Sequence, residues 1–259
     1  MIPRIIHYCW FGGNPKPDIV KQCIASWKRF CPDWEIREWN ESNFDVNAMP
    51  YTKEAYAAKK WAFVSDVARL KVISDYGGIY LDTDIELLSS IEMLRENDAF
   101  FAFESNRNIN TGLGFGANAQ HPAVQAMLDY YDGMHFSVKG KYDMSPCPAK
   151  NTEALKRYCP QFARNGESQV YQGMKILSFG EYSAFAKNHS AGSWIDGPVY
   201  HRNRVYKQSA IKDWLRKPEH FDVIERLFGR KGEKVYTFCV YDLLECGPMY
   251  YVRRLLVKK

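Results

Sequence analysis

The stretch GGIYLDTDIE, residues 77–86, constrains the fold of this chain more than any other. Two glycines end a run of helical composition, and a short β-prone apolar run follows over residues 79–81. That run delivers two carboxylates, Asp82 and Asp84, to its far end. Because α/β sheets bind ligands beyond the carboxyl ends of their strands, the pattern predicts a polar site here.

Three interpretations of Asp82 and Asp84 stay open from the residues alone. Carboxylate oxygens suit Mg²⁺ or Mn²⁺, which in turn can hold a diphosphate. A strand end with two solvated acids is equally compatible. A phosphohydrolase of the haloacid-dehalogenase kind would use the first Asp as nucleophile. That pattern has Thr or Val where this chain has Glu86, and it needs a later acidic pair, which we do not find after residue 86.

The first forty residues predict a β-α-β unit, as in the nucleotide-binding half of an α/β domain. We expect strands over residues 5–11 and 35–40, with a helix over 17–30 between them. Trp10 lies at the end of the first strand, before two glycines. It is either an aromatic plane on which a base stacks or a core residue, and this stretch by itself favours the core.

Residues 53–75 predict two helices or one long bent helix, leading directly into the strand that ends at Asp82. Asp66 and Arg69 are three residues apart and therefore share a face. They form either a surface ion pair of little energy or a pair that binds sugar hydroxyls.

Later segments are less regular. We expect a strand over 100–104, a helix from 121 to about 131, and loops with one helix near 151–158 in the region 133–180. The glycine-rich run 108–116 favours close approach of backbone to a ligand, with Asn110 as a hydrogen-bonding side chain. In the segment 187–194, His189 is a candidate metal ligand, although such a histidine is more often structural.

Composition favours a globular protein with one large core, at 259 residues and 46% hydrophobic. Seven scattered cysteines without a Cys-X-X-Cys motif, and a beginning without an apolar signal stretch, predict reduced thiols in a cytoplasmic protein. Residues 202–259 hold 14 Lys or Arg against 7 Asp or Glu, whereas residues 1–201 hold 21 against 23. The basic tail is either a solvated helical face or a contact with anionic lipid, and no motif indicates nucleic acid.

Four blocks, in this order, cover most of residues 1–201: IPRIIHYCWFGG, FVSDVARLKVISDYGGIYLDTDIELL, NTGLGFGA and HSAGSW. Together they resemble the bacterial capsular-polysaccharide glycosyltransferases of glycosyltransferase family 32, which carry the DXD motif. The resemblance implies an α/β fold of the GT-A type with a Rossmann-like nucleotide-binding half. The catalytic domain would comprise residues 1–201. Residues 202–259 would form a basic, mostly helical appendage packed on it rather than an independent domain.

By matching motif positions, the resemblance also assigns donor-binding roles. Trp10 would stack on the uracil, and Ser193 and Trp194 would close on the diphosphate. Asp66 and Arg69 would contact the donor sugar, and Asn110 would lie beside the sugar near the acceptor. Asp82 would bind ribose and sugar hydroxyls and reach the metal through water, while Asp84 would ligate it directly. His189 would complete the metal site; family members often carry a histidine just before it, where this chain has Asn188.

The expected function is therefore that of a retaining, metal-dependent glycosyltransferase. It would move a hexose or N-acetylhexosamine from a UDP-sugar, with Mn²⁺ or Mg²⁺, to a lipid-linked or oligosaccharide precursor of capsule or lipopolysaccharide. We expect it in the cytoplasm, with peripheral contact at the inner face of the membrane through the basic tail. The cation would neutralise the charge on the departing UDP, and the sequence offers no clear nucleophile, which favours same-face attack. The alternatives are a Mg²⁺-dependent phosphohydrolase built on Asp82 and Asp84 and a non-catalytic nucleotide-sugar-binding protein.

Overall fold

A computed structural model describes residues 1–104 and 107–189 of the chain. In chain order its strands are β1 Ile5–Cys9, β2 Glu35–Trp39, β3 Gly78–Tyr80, β4 Ile85–Leu87, β5 Ala99–Ala102, β6 Phe115–Ala117, β7 Ser137–Val138, β8 Lys141–Tyr142, β9 Gln169–Tyr171, β10 Met174–Leu177 and β11 Ala186–Asn188. The α-helices are α1 Asp18–Phe30, α2 Pro50–Ala57, α3 Trp61–Tyr76, α4 Pro122–Asp129, α5 Cys147–Tyr158 and α6 Phe179–Ser183. The predicted appendage, residues 202–259, lies outside the described residues.

A seven-stranded sheet organises these elements, in the order β2-β1-β3-β6-β5-β10-β9. Strands β1, β2, β3, β5 and β10 share one direction, and β6 and β9 run the opposite way. The predicted α/β fold class is confirmed in this mixed architecture and its mostly parallel central sheet. Two short antiparallel pairs, β4 with β11 and β7 with β8, lie outside that sheet.

The predicted β-α-β opening is confirmed by β1, α1 and β2. Residue Ile5 lies opposite Glu35 and the parallel register continues to Cys9 opposite Trp39. Helix α1 buries Trp27 completely on its inner face, and the indole N–H of Trp27 donates to the carbonyl of Ile85 at 2.7 Å. This bond fixes the helix against β4, directly after the Asp-X-Asp pair.

Residues 53–75 form two helices, α2 and α3, which confirms one of the two forms predicted. Pro50 occupies the first turn of α2, where a missing N–H costs nothing. Helix α3 is buried on almost every side and ends at Gly77, whose φ of 65° only glycine adopts readily. The chain thereby turns straight from the helix into β3.

The start of β3 is held by a histidine from the neighbouring strand. The imidazole of His7 is fully buried, and its Nε2 lies 2.9 Å from the carbonyl oxygen of Gly77. The indole N–H of Trp39 donates to the other ring nitrogen, Nδ1, also at 2.9 Å. Because Nδ1 accepts, Nε2 must carry the proton, and the neutral ring satisfies both partners.

The later segments agree in part with the expectation. The end of the glycine-rich run forms strand β6, and Gly116 packs between β3 and β5, where a Cβ would lie 2.8 Å from Ile79 and Phe100. The helix expected near 151–158 is confirmed as α5, which starts earlier, at Cys147. The expectation of loops elsewhere in 133–180 is wrong in part, because β9 and β10 extend the main sheet. These strands are too short to show a clear alternating pattern.

The five described cysteines are free and buried, as predicted for reduced thiols: Cys9, Cys23, Cys31, Cys147 and Cys159. Within the described ranges, no helix is both long and apolar enough to span a bilayer.

Candidate active site

The centre of the site is Arg69 on α3, a guanidinium that is 4% exposed and bonded to two carboxylates. Its Nη2 lies 3.2 Å from Asp66, one turn back on the same helix, and 3.0 Å from Asp82 at the end of β3. The predicted convergence of these residues therefore exists in the structure. Burial opposes the charge on Arg69, but the two carboxylates outweigh it and raise its pKa well above the ordinary value.

Asp82 is the most accessible member of this cluster, with one third of its side chain exposed. The hydroxyl of Tyr80 donates to its Oδ1 at 2.9 Å. Burial raises the pKa of Asp82 to about 7; Arg69 acts in the opposite direction and the charge of Asp84 adds to the rise. The carboxylate of Asp66 also has a raised pKa because it is buried, although Arg69 lowers it.

The cluster carries more negative than positive charge. Asp66 and Asp82 both pair with the guanidinium of Arg69, and Asp84 adds a third carboxylate whose charge acts on Asp82. In diphosphate sites, Mg²⁺ is held by one or two carboxylates plus phosphate oxygens rather than by a full protein cage. Asp82 and Asp84 provide such a donor set, and the excess negative charge favours a cation. They therefore fit a hard divalent ion.

The glycine-rich loop closes over this cluster at Gly112. The carbonyl of Gly112 accepts from the backbone N–H of Asp82 at 3.3 Å, and its own N–H donates to the side chain of Asn110 at 2.8 Å. A Cβ at position 112 would lie 2.4 Å from Asp82 Oδ2 and 3.1 Å from Arg69 Nη1. The predicted close backbone approach is thus toward the charged cluster, and Asn110 stands beside it.

Sequence reasoning missed the buried wall behind Arg69, formed by α5. Arg69 Nη1 lies 3.7 Å from Sγ of Cys147 and 3.5 Å from Oγ1 of Thr111, which accepts from Asn151 at 2.8 Å. Burial raises the pKa of the Cys147 thiol, so the thiol stays protonated and hydrogen-bonds Asp66. No motif marks Cys147 or Asn151, and only the tertiary position of α5 brings them to the site.

Trp10 lies half-buried at the end of β1. Its indole N–H donates to the carbonyl of Asn14 at 2.7 Å, and Nζ of Lys16 lies 5.7 Å from its ring. Lys16 also pairs with Glu38 at 2.8 Å, and Glu38 accepts from the hydroxyl of Tyr8 at 2.5 Å. Trp10 therefore packs partly against the core and partly against this polar group, and its role in stacking on a base stays a prediction.

His189 lies beside Asp84 through the backbone, since its N–H donates to the Asp84 carbonyl at 3.0 Å. Its imidazole Nε2 lies 2.7 Å from the carboxylate of Glu86, a partner that the sequence did not indicate. Among the described residues, no group of three or more His, Cys, Asp or Glu side chains is arranged to hold a metal. Ser193 and Trp194 lie outside the described residues.

Residues 17–101 match the model of a family described as "Glycosyltransferase sugar-binding region containing DXD motif". This segment includes α3 with Asp66 and Arg69, and β3 with the Asp82-Asp84 pair. The chain is thus similar, over this segment, to a glycosyltransferase sugar-binding region that contains the DXD motif. The bacterial capsule role that the resemblance implies is not part of that finding.

Curated relatives share this region. The chain is 27% identical over 132 residues to inositol phosphoceramide mannosyltransferase 1 of Schizosaccharomyces pombe, covering 47% of this chain and 40% of that protein. It is 31% identical over 107 residues to human alpha-1,4-N-acetylglucosaminyltransferase, covering 40% and 29%. The chain thus spans less than half the length of these relatives.

Solved glycosyltransferase structures also resemble the fold. PaToxG glycosyltransferase matches with a TM-score of 0.48 at 19% identity, covering 61% of this chain and 70% of that one. A glycosyltransferase involved in glycosylation of the major capsid of PBCV-1 matches with a TM-score of 0.38 at 11% identity, covering 74% and 97%. Likeness at this level carries no conclusion about activity.

Proposed function

We propose that this protein is a retaining, metal-dependent glycosyltransferase that transfers a hexose or N-acetylhexosamine from a UDP-sugar. The observation that carries the proposal is the Arg69 centre. A buried guanidinium holds Asp66 and Asp82 in fixed positions, next to Asp84, at the carboxyl end of a parallel strand. The DXD sugar-binding region covers the same residues.

Within this proposal, Asp66 and Arg69 bind the hydroxyls of the donor sugar. Carboxylate and guanidinium side chains accept from and donate to hydroxyls, and their mutual ion pair keeps both rotamers fixed before the sugar arrives. Asp82, one third exposed, is positioned by Arg69 and Tyr80 to accept from further hydroxyls. Asn110 stands beside Gly112 on the facing loop, where the acceptor would approach.

Asp84, with Asp82, would hold the cation, and His189 remains a candidate third ligand. When bound, Mn²⁺ or Mg²⁺ supplies positive charge for the departing diphosphate. The carboxylates of Asp66 and Asp82 already pair with Arg69, which lowers their electron density for attack on the sugar. This supports same-face attack by the acceptor hydroxyl over a covalent glycosyl-enzyme.

A donor screen tests the proposal. The purified chain with Mn²⁺ is given a panel of nucleotide sugars, and slow release of free UDP is recorded. We expect release from one UDP-sugar, abolished by EDTA and by Asp84→Asn. Asp75→Asn is the matched control, since Asp75 is an exposed carboxylate on α3 that pairs with Lys71 away from the site.

Other outcomes would contradict the proposal. Release of phosphate from sugar phosphates without a nucleotide requirement would favour the phosphohydrolase hypothesis. Binding of UDP-sugar without any turnover would favour the non-catalytic hypothesis. Trapping of a covalent sugar adduct on Asp66 or another carboxylate would overturn same-face attack alone.

The proposal also covers the acceptor and the cellular location of the enzyme. We infer a lipid-linked or oligosaccharide precursor of capsule or lipopolysaccharide as acceptor, and a cytoplasmic enzyme at the inner face of the membrane. Support comes from the resemblance of the motif blocks and from the basic composition of residues 202–259. If deletion of residues 202–259 left co-sedimentation with membranes unchanged, the role of the tail would be wrong.

A further inference from the structure

A short hairpin projects from the domain between α4 and α5. Strands β7 and β8 pair Ser137 with Tyr142 and Val138 with Lys141. The two residues between them, Lys139 and Gly140, both have positive φ, of 50° and 74°, as two-residue hairpin turns of type I′ require. The turn is thus a tight, defined structure rather than an irregular loop.

The hairpin exposes large apolar side chains. Val138 is 56% exposed, Tyr142 50% and Met144 39%, within seven consecutive residues. Cross-strand partners share a face, so Val138 lies beside Lys141 at the tip, which places an exposed apolar side chain next to a charged one.

The same tip is positively charged. Lys139 and Lys141 are both exposed, and neither has a hydrogen-bond or ion-pair partner among residues 1–104 and 107–189. The nearest acid in sequence, Asp143, is bonded instead to Nζ of Lys150 at 3.0 Å. The surface therefore combines two free cations with apolar side chains.

The base of the hairpin is firmly attached. Phe136 is fully buried, and the ring of Tyr142 stacks on it with centroids 5.3 Å apart. The N–H of Ser137 donates to the carboxylate of Glu54 on α2 at 2.9 Å. A backbone hydrogen bond also closes the base of the hairpin: the N–H of Asp143 donates to the carbonyl of Phe136 at 2.7 Å. Because its base is anchored in this way, the hairpin has a fixed orientation relative to the domain.

We propose that this hairpin, residues 137–144, seats on an anionic lipid surface. Lysines attract acidic headgroups, while the valine and methionine side chains enter the boundary between headgroups and acyl chains. The unpaired positive charge complements an anionic bilayer.

The hairpin lies a short distance along the chain from the Arg69 centre, so contact of the hairpin with lipid would also place that centre. Cys147 follows Tyr142 by five positions and lies 3.7 Å from Arg69. Even fully extended, five residues span only about 18 Å. Seating the hairpin would bring the Arg69 centre close to the lipid surface. The inference needs no assumption about the sugar transferred and goes beyond the proposed function.

Vesicle co-sedimentation of the full chain tests the proposal. The vesicles are phosphatidylcholine alone or phosphatidylcholine mixed with phosphatidylserine. The charge variant is Lys139→Glu with Lys141→Glu, and the apolar variant is Val138→Ser with Met144→Ser. The control, Lys21→Glu with Lys28→Glu, makes the same charge change at exposed positions on α1.

We expect the charge variant to lower the partition coefficient onto serine-containing vesicles about tenfold or more, since each lysine contributes separately. The apolar variant should lower it severalfold, and the control should lower it less than either. Because every variant keeps residues 202–259, any contribution of the tail is common to all. Equal binding by all variants, as a hairpin that serves a protein partner would give, overturns the proposal, and so does failure of the unmodified chain to bind vesicles.

Discussion

Strand β3 has a buried polar cluster at each end, and the two differ in how completely their groups are satisfied. At its start, the His7 cluster (His7, Trp39 and the Gly77 carbonyl) is neutral, and each ring nitrogen of His7 has one partner. At its end, the Arg69 cluster (Asp66, Arg69 and Asp82) is charged, with more carboxylates than cations.

This difference indicates which cluster stabilises the fold and which one could bind a ligand. Buried polar groups that satisfy one another need nothing further and fix the strand in place. The carboxylate of Asp82, whose pKa is raised to about 7 by burial and further by the charge of Asp84, gains stability when a cation arrives. We therefore assign a structural role to the His7 cluster and a binding role to the Arg69 cluster.

Asp84→Asn should have the largest effect and act on chemistry alone. Loss of one charged group of this kind typically lowers turnover about 10² to 10³-fold. The amide has the same shape, so the free energy of unfolding should change by less than about 1 kcal/mol. UDP release and urea unfolding on the same preparation measure both quantities. If Asp84→Asn lowered turnover and also strongly lowered the free energy of unfolding, the binding role of this end of the strand would not be distinguished from a structural role.

His7, at the other end of the strand, should make its own contribution to the pH dependence of stability. Burial lowers the pKa of His7 to about 4, whereas an unfolded histidine titrates near 6.5. At this site the unfolded chain binds a proton first as pH falls, so the His7 contribution to the free energy of unfolding drops by about 3 kcal/mol between about pH 6.5 and 4. Asp82, whose pKa burial raises to about 7, contributes with the opposite sign over this range in both proteins compared below. Above pH 6.5 this group contributes no slope.

His7→Gln, which cannot titrate, serves as the reference for that measurement. We expect urea unfolding of the variant to lack the His7 part of the slope, although the variant itself is less stable at neutral pH. If both proteins lost stability equally from pH 6.5 to 4, His7 would not be the buried neutral group described here.

Trp39→Phe sharpens the structural assignment further. It removes the N–H that donates to Nδ1 of His7 and leaves that nitrogen buried without a partner. An unsatisfied buried acceptor costs about 1 to 3 kcal/mol, which chemical denaturation would measure. Turnover by the folded fraction should stay within a few-fold of the unmodified protein. A hundredfold loss of turnover would place Trp39 in the catalytic site instead.

Gly112→Ala should give the smallest effect, about tenfold in turnover. Its φ lies outside the left-handed region, but the new methyl group would meet Oδ2 of Asp82 and displace that side chain. Gly180→Ala on α6 is the control, since nothing lies within 4 Å of its added Cβ. Matching activities for the two alanine variants would mean that the position of Asp82 is unimportant.

Local patterns in the sequence predicted the elements that carry the Arg69 cluster. The three-residue spacing of Asp66 and Arg69 and the double glycine before β3 placed the helix and strand correctly, because each signal acts within one turn or one strand. The assigned roles of Trp10, Asn110 and His189 stay predictions, as does the domain boundary at residue 201.

Long-range contacts explain what local patterns missed. Strands β9 and β10 have three and four residues, and they depend on pairing rather than on propensity: β10 pairs with β5, and β9 pairs with β10. The wall formed by Cys147 and Asn151 depends on where α5 packs, and no spacing in the sequence encodes that. His7 gave no signal because a histidine at the centre of an apolar strand has no motif.

The most direct test of the central claim is binding at the Arg69 cluster, measured as protection against thermal unfolding. UDP and Mn²⁺ are added separately and together to the unmodified chain, Asp84→Asn and Asp75→Asn. The account predicts that the two ligands together raise the unfolding temperature more than the sum of their separate effects. This gain should persist in Asp75→Asn and disappear in Asp84→Asn. The same gain in all three proteins, or none in the unmodified chain, would contradict a nucleotide and metal site at the end of β3.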